Sequence, residues 1–156
     1  MLNIAITGFG DVTITDVIFD YNGTLAVTGN LIPGIEEEIQ RLAKVVTVHV
    51  VTGDSYGTAQ KLLTNLDCHI GIITDENQGL AKVAYLQALN SATTLMVGNG
   101  RNDQYVLKAA RVGITVIGKE GAAVEAILAS DVVCNDIFDV FALLSNTRSL
   151  RSTLRS

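Results

Sequence analysis

A chain of 156 residues that is 48% hydrophobic and only 17% charged is too apolar for disorder, and it is long enough to bury a core within one domain, residues 1–156. A formal charge of −5 and a pI near 4.8 speak against non-specific nucleic-acid binding, which needs Lys and Arg to neutralise phosphates. There is no run of about 18 apolar residues, and Met1-Leu2-Asn3-Ile4 has no basic segment of the kind that begins a signal peptide, so a cytoplasmic protein free of membrane contact is expected.

In chain order, residues 2–7 and 12–16 alternate around Gly8-Phe9-Gly10-Asp11 and predict a hairpin over residues 1–16. Val17-Ile18-Phe19 suits a strand buried on both faces, and it ends in Asp20. Gly23 and Thr24 follow in a turn, and Ala26–Ile32 reads as a loop or small hairpin. Pro33 opens a helix with Glu36, Glu37 and Glu38 at the positive end of its dipole and Ile35, Ile39 and Leu42 on one face.

Val45–Val51 is a second strand leading into Thr52-Gly53-Asp54-Ser55. A helix is predicted from about Ser55 to Asn65, with Ala59, Leu62, Leu63 and Leu66 turned inward, which places Thr52 near a helix N-terminus where an anion is favoured. Cys68–Ile73 is a third strand, and Leu80–Leu89 a helix carrying Lys82 near its start. The dipole disfavours a cation there, which suggests another purpose for Lys82. Thr93–Val97 is a fourth strand that runs into Gly98-Asn99-Gly100-Arg101-Asn102-Asp103 and a helix over Gln104–Ala110. Strand Gly113–Ile117, helix Gly121–Ala129, strand Val132–Cys134 and helix Ile137–Leu144 complete the pattern. A basic helix over about residues 145–156 carries Arg148, Arg151 and Arg155, with Leu150 and Leu154 four apart. Strands alternating with helices predict an α/β fold, a doubly wound parallel sheet in three α/β/α layers. Cys68 and Cys134 lack C-x-x-C spacing and read as free thiols, and His49 reads as a core histidine with its nitrogens satisfied.

Polar groups thus collect at or near the carboxyl ends of successive strands: Asp20, Thr52, Lys82, and Asn99 with Asp103. In an open α/β sheet that edge opens on the ligand crevice. Asp20-Tyr21-Asn22-Gly23-Thr24-Leu25 resembles the first motif, D-x-D-G-T-L, of the haloacid dehalogenase (HAD) superfamily, and Thr52, Lys82 and the Asp103 loop follow in the order of its other motifs. Thr52-Gly53-Asp54-Ser55-Tyr56-Gly57-Thr58-Ala59 is similar to the T-G-D-x-x-x-T-A hinge of the P-type ATPase phosphorylation domain, and Gly98–Asp103 to its G-D-G-x-N-D loop.

The resemblance implies a Rossmann-like HAD domain acting as a phosphatase through an aspartyl phosphate on Asp20. Mg²⁺ would be held by the Asp20 carboxylate, the Asn22 backbone carbonyl, and Asp103 or Asn99. Thr52, Gly53, Gly23 and Lys82 would contact the phosphate, and the substrate would be a phosphorylated small molecule or phosphoprotein. The gap between Asp20 and Thr52 is too short for the nucleotide-binding domain that pumps insert there, and no cap domain fits, so a free-standing protein with an open site is expected. An open site and an apolar composition together suggest a homo-oligomer.

Two departures bear on mechanism. Asn22 stands where phosphatases of the superfamily keep a general acid, and Asn99 where the P-type loop keeps an acidic metal ligand. Slow turnover is therefore expected, with a preference for good leaving groups. The alternative is a weakly or non-catalytic regulatory protein that binds phosphate or metal. Asn22-Gly23 and Asn99-Gly100 are also pairs prone to deamidation, which would rebuild both carboxylates.

Overall fold

The computed structural model describes residues 1–156. Strands β1 (Leu2–Ile6) and β2 (Gly10–Ile14) form an antiparallel hairpin, and β3 (Asp16–Phe19) enters the central sheet. A two-stranded flap, β4 (Ala26–Val27) and β5 (Asn30–Leu31), precedes α1 (Ile35–Leu42). Then come β6 (Thr47–Thr52), α2 (Ala59–Leu63), β7 (His69–Ile72), α3 (Gln78–Ala88), β8 (Thr94–Gly98), α4 (Gln104–Ala109), β9 (Val112–Val116), α5 (Val124–Ala129), β10 (Val132–Cys134), α6 (Ile137–Ser145) and α7 (Thr147–Leu154). Six strands pair in parallel in the order β10-β9-β8-β3-β6-β7. No cap domain interrupts them.

The chain moves outward from β3 through β6 to β7, then returns to the other side of β3 to lay down β8, β9 and β10. The carboxyl end of β3 is therefore the switch point, the place where a doubly wound sheet leaves a crevice. Both faces of the sheet are covered, as its uninterrupted apolar strands require. Val17 and Phe19 point into a core shared with α1, α2, α6, α7 and the β1–β2 hairpin, whereas Ile18 and Met96 point into a smaller one under α3, α4 and α5. Phe19 stacks on Phe141 of α6 with ring centroids 5.3 Å apart, joining sheet to helix directly below the crevice.

All six core strands match the sequence reading within about two residues. The helices differ more. The helix expected from Ser55 begins only at Ala59 and lasts five residues, because Asp54 takes a left-handed backbone (φ 48°) and its Oδ1 accepts from the N–H groups of Thr58 and Ala59, both at 2.9 Å. Leu62 is 38% exposed rather than turned inward. The α3 helix starts two residues early, so Lys82 lies more than a turn inside it, and burial rather than the dipole marks it as special.

His49 is satisfied as expected, by the Tyr85 hydroxyl and Asp16 Oδ1 at 3.0 Å each. Both thiols are free, and burial, reinforced by Asp67 for Cys68 and Asp139 for Cys134, pushes each up to about 11. The basic tail lies on its own domain: Leu150 is fully buried and Ser156 N–H donates to Thr7 O, with Arg148, Arg151 and Arg155 exposed.

Gly113 in β9 is fixed by close approach, since a β-carbon there would stand 2.5 Å from the Leu107 carbonyl oxygen of α4. Gly113→Ala is expected to cost about 1–3 kcal/mol of stability, read as a lower urea midpoint with an unchanged slope.

Candidate active site

Asp20 follows the last residue of β3, its N–H donating to Val97 O of β8 at 2.9 Å, which sets it at the centre of the crevice. The chain then wraps around one carbonyl: Thr24, Leu25 and Ala26 N–H all donate to Tyr21 O. This tight turn needs Gly23 at φ +81°, and a side chain there would collide with the Asn99 amide, since a β-carbon would stand 2.2 Å from Asn99 Nδ2. Asn22 Oδ1 lies buried with no hydrogen-bond partner.

The centre of the site is an ammonium between two carboxylates. Lys82 Nζ donates to Asp20 Oδ1 at 2.7 Å and to Asp103 Oδ1 at 2.6 Å, and all three side chains are at least nine-tenths buried. Asp103 is sealed completely, its Oδ2 accepting from the N–H groups of Asn99 (3.1 Å) and Gly100 (2.9 Å). Asn99 is half-buried; its Nδ2 donates to Gly121 O at 3.1 Å and its Oδ1 lies 3.5 Å from the Thr24 hydroxyl. Of the two side chains that the loop offers to a metal, only that of Asn99 keeps an open edge.

Charge follows geometry. Burial, then the nearby Asp103 charge, pushes the Asp20 carboxyl up to about 6, with Lys82 opposing both. Burial pulls Lys82 down, yet the Asp20 and Asp103 carboxylates outweigh it and hold the ammonium above its ordinary value. Two anions and one cation leave an excess negative charge in a site largely closed to water, a costly arrangement that an added cation would relieve.

Thr52, the last residue of β6, is buried, and its hydroxyl accepts from Asp54 N–H at 3.0 Å. The α2 N-terminus offers no anion seat, because its leading N–H groups are taken by Asp54. Asp20 and Asp103 are therefore joined through Lys82, Gly23 and Asn99 pack together beside them, and Thr52 and Gly53 follow at the end of β6, the strand next to β3. Deamidation is opposed at both Asn-Gly pairs: Gly23 N–H donates to Ala26 O at 2.8 Å and Gly100 N–H to Asp103 Oδ2, so neither nitrogen is free to attack the preceding amide.

Sequence reasoning missed the residues that hold the flap. Its tip carbonyl at Gly29 accepts from the Tyr21 hydroxyl (3.1 Å) and the Thr58 hydroxyl (2.6 Å), and Thr28 N–H donates to Glu120 Oε2 at 3.2 Å. It also missed Gln78, whose Oε1 accepts from Asn102 Nδ2 at 3.0 Å. No short motif announces such pairs. The positive φ of Thr28 (47°) beside Gly29 is a local turn feature that the Thr-Gly pair does hint at.

No family model matches the chain. It is 41% identical over 87 residues to the uncharacterized protein MJ0073 of Methanocaldococcus jannaschii, a match covering 51% of this chain and 94% of that protein. It is 32% identical over 154 residues to a probable copper-transporting ATPase of Arabidopsis thaliana, covering 93% of this chain but only 15% of the pump. Among solved structures, the cobalt-bound deoxy-D-mannose-octulosonate 8-phosphate phosphatase of Haemophilus influenzae is similar with a TM-score of 0.71 at 14% identity, over 92% of this chain and 94% of that one. A 3-deoxy-D-manno-octulosonate 8-phosphate phosphatase of Moraxella catarrhalis, in complex with magnesium ion, phosphate ion and KDO, gives 0.68 at 16% identity, over 91% and 94%. At such identities the likeness is one of fold. No helix of this chain is long and apolar enough to cross a membrane.

The raised Asp20 carboxyl has a measurable sign. A carboxyl at about 6 in the fold, against 3.8 when unfolded, penalises the ionised native state; the penalty is absent below about pH 4 and complete above about pH 6. Asp20→Asn removes it. With chelator present, the variant is expected to be more stable than wild type by roughly 1–3 kcal/mol at pH 8, the gap closing at pH 4, as read from thermal midpoints. Lys82→Met is expected to do the reverse, by about 3–5 kcal/mol, since it leaves two carboxylates facing each other.

Proposed function

We propose that this chain, which shares the fold of the octulosonate 8-phosphate phosphatases and carries motifs similar to those of the HAD superfamily, is a Mg²⁺-dependent phosphohydrolase working through an aspartyl phosphate on Asp20. The observation that carries this reading is the Lys82 ammonium held between Asp20 and Asp103 at the switch point of the sheet. Nothing about packing calls for two carboxylates and a lysine there; phosphoryl transfer to a carboxylate calls for all three.

The donor set suits Mg²⁺, which takes hard oxygens. The Asp20 carboxylate, the Asn22 carbonyl and Asn99 Oδ1 are the groups we assign to it, with Asp103 acting through Lys82 and the loop backbone. The unpaired Asn22 Oδ1 is the kind of acceptor that a metal's water satisfies. No cluster of three or more His, Cys, Asp or Glu side chains is present, so affinity for the ion should be low. When bound, Mg²⁺ would draw charge from the phosphoryl oxygens.

The chain's own residues divide the rest of the work. Asp20 attacks phosphorus in line, the P–O bond to the leaving group breaks, and that oxygen departs with the electron pair. Lys82 keeps Asp20 ionised and aimed and offsets charge on the transferring group, while Thr52, Gly53 and the Gly23 turn line its seat. Asn22 cannot give the departing oxygen a proton, nor take one from the water that later cleaves the acyl phosphate. The phosphoenzyme should therefore outlive its formation, and leaving groups that need no proton should be preferred. A groove beside Gly23 and Thr24, lined by Val27, Leu31, Val116 and Lys119, suits the body of a phosphorylated small molecule.

Purified protein is expected to hydrolyse acetyl phosphate and p-nitrophenyl phosphate with Mg²⁺ and not with chelator, below about 10 s⁻¹, with no activity in Asp20→Ala. Acid-quenched samples should gain one phosphoryl mass on the peptide containing Asp20, and Asn22→Asp should speed loss of that mass by about 10²-fold or more. Absence of turnover and phosphoenzyme from folded protein would favour a non-catalytic phosphate or metal sensor instead.

A further inference from the structure

Gln78 is a polar side chain beside the crevice that the mechanism above leaves without a task. It is the first residue of α3, and Lys82 is four residues on, so both project from the same face of the helix. Because Lys82 reaches Asp20, Gln78 lies over the same crevice, one turn nearer its mouth. Its amide rests directly on Gly53: a β-carbon there would stand 2.3 Å from Nε2 and 2.9 Å from Cδ. The wall beside Thr52 is thus built from a glycine with an amide laid across it.

Which end of that amide faces the seat is also settled by contact. Asn102, the neighbour of Asp103 in the loop after β8, donates Nδ2 to Gln78 Oε1 at 3.0 Å. Gly79 lets the start of α3 press close enough for this, since a β-carbon there would lie 3.2 Å from Asn102 O. The acceptor end of the amide is consumed, and that bond is the only one the Gln78 side chain makes. Two N–H donors remain, against Gly53. An anion at the Thr52–Gly53 seat is what they would complete, adding neutral donors to the Lys82 ammonium on the far side of the site.

We propose that Gln78 contacts the phosphoryl group, its side-chain N–H donating to an oxygen seated at Thr52 and Gly53, with Asn102 as the positioning residue that fixes the amide's orientation. This rests on the phosphoryl-transfer reading and adds to it a donor that the four sequence motifs do not contain. An amide can do this where a carboxylate cannot, because Gln78→Glu keeps the shape and length but turns donors into a repelling anion.

Binding of inorganic phosphate in the presence of Mg²⁺, followed by calorimetry, tests the contact without turnover. Gln78→Ala is expected to weaken binding about tenfold, and Gln78→Glu further still. Asn102→Ala should weaken it about threefold in the wild-type background and by nothing measurable beside Gln78→Ala, a non-additivity that a merely structural role for Asn102 would not produce. The rate of phosphoenzyme formation from acetyl phosphate should fall by matching factors, with thermal midpoints near wild type because Gln78 is only half-buried. Phosphate affinity within twofold of wild type in Gln78→Ala would overturn the contact. Wild type that binds phosphate but forms no phosphoenzyme would overturn the phosphatase reading alone, leaving Gln78 to be judged by affinity. Folded wild type that binds no phosphate would overturn both.

Discussion

The Lys82 ammonium is the interaction on which the site depends. It is buried, and burial alone opposes its charge; two carboxylates at 2.6 and 2.7 Å reverse that. Each partner is placed by a different part of the chain: Asp20 by the end of β3, Lys82 by α3, Asp103 by the loop after β8. The two N–H groups on Asp103 Oδ2 make that carboxylate part of the loop's backbone structure. Removing Lys82 leaves two carboxylates facing each other in a low dielectric, whereas removing either carboxylate leaves a matched pair, so no member's contribution can be separated from the other two. The protein accepts an excess negative charge here that a structural ion pair would avoid, and such local cost is characteristic of a site kept for chemistry.

Much of this was legible in the sequence, for a physical reason. Parallel strands buried on both faces are written as near-continuous apolar runs, and Val17–Phe19, Val48–Val51 (broken only by His49) and Leu95–Val97 each stop within two residues of Asp20, Thr52 or Asn99. Strand end and chemistry are therefore read together. Asp20, Lys82 and Asp103 meet, and Thr52 ends the strand beside β3. Helix boundaries were less legible because they hang on single side-chain contacts. Asp54 capping Thr58 and Ala59 shortens a helix that periodicity alone extends by four residues, and it removes the anion seat that a longer α2 would have offered beside Thr52. Lys82 was singled out for a dipole conflict that the true start of α3 dissolves.

What the sequence hid is tertiary by nature. Tyr21 and Thr58 meet only at the Gly29 carbonyl, and Gln78 meets Asn102 only because α3 and the following loop are adjacent across the crevice. Neither pair has a spacing to recognise. Asn99 shows the limit in the other direction. Its position in a familiar loop suggested metal ligation in place of a carboxylate, but its side chain also supports the Gly23 turn and bonds Gly121, so it has structural work to do in either case.

The tethered flap has a mechanical implication. One of the two hydroxyls that hold its tip belongs to Tyr21, the residue immediately after Asp20, and the same residue's carbonyl anchors the turn through Gly23, while the other belongs to Thr58. A displacement of the tip therefore loads the residue next to Asp20 and, through Thr58, the start of α2 at the same time. The β4–β5 turn and the strand end that carries Asp20 are thereby one mechanical piece.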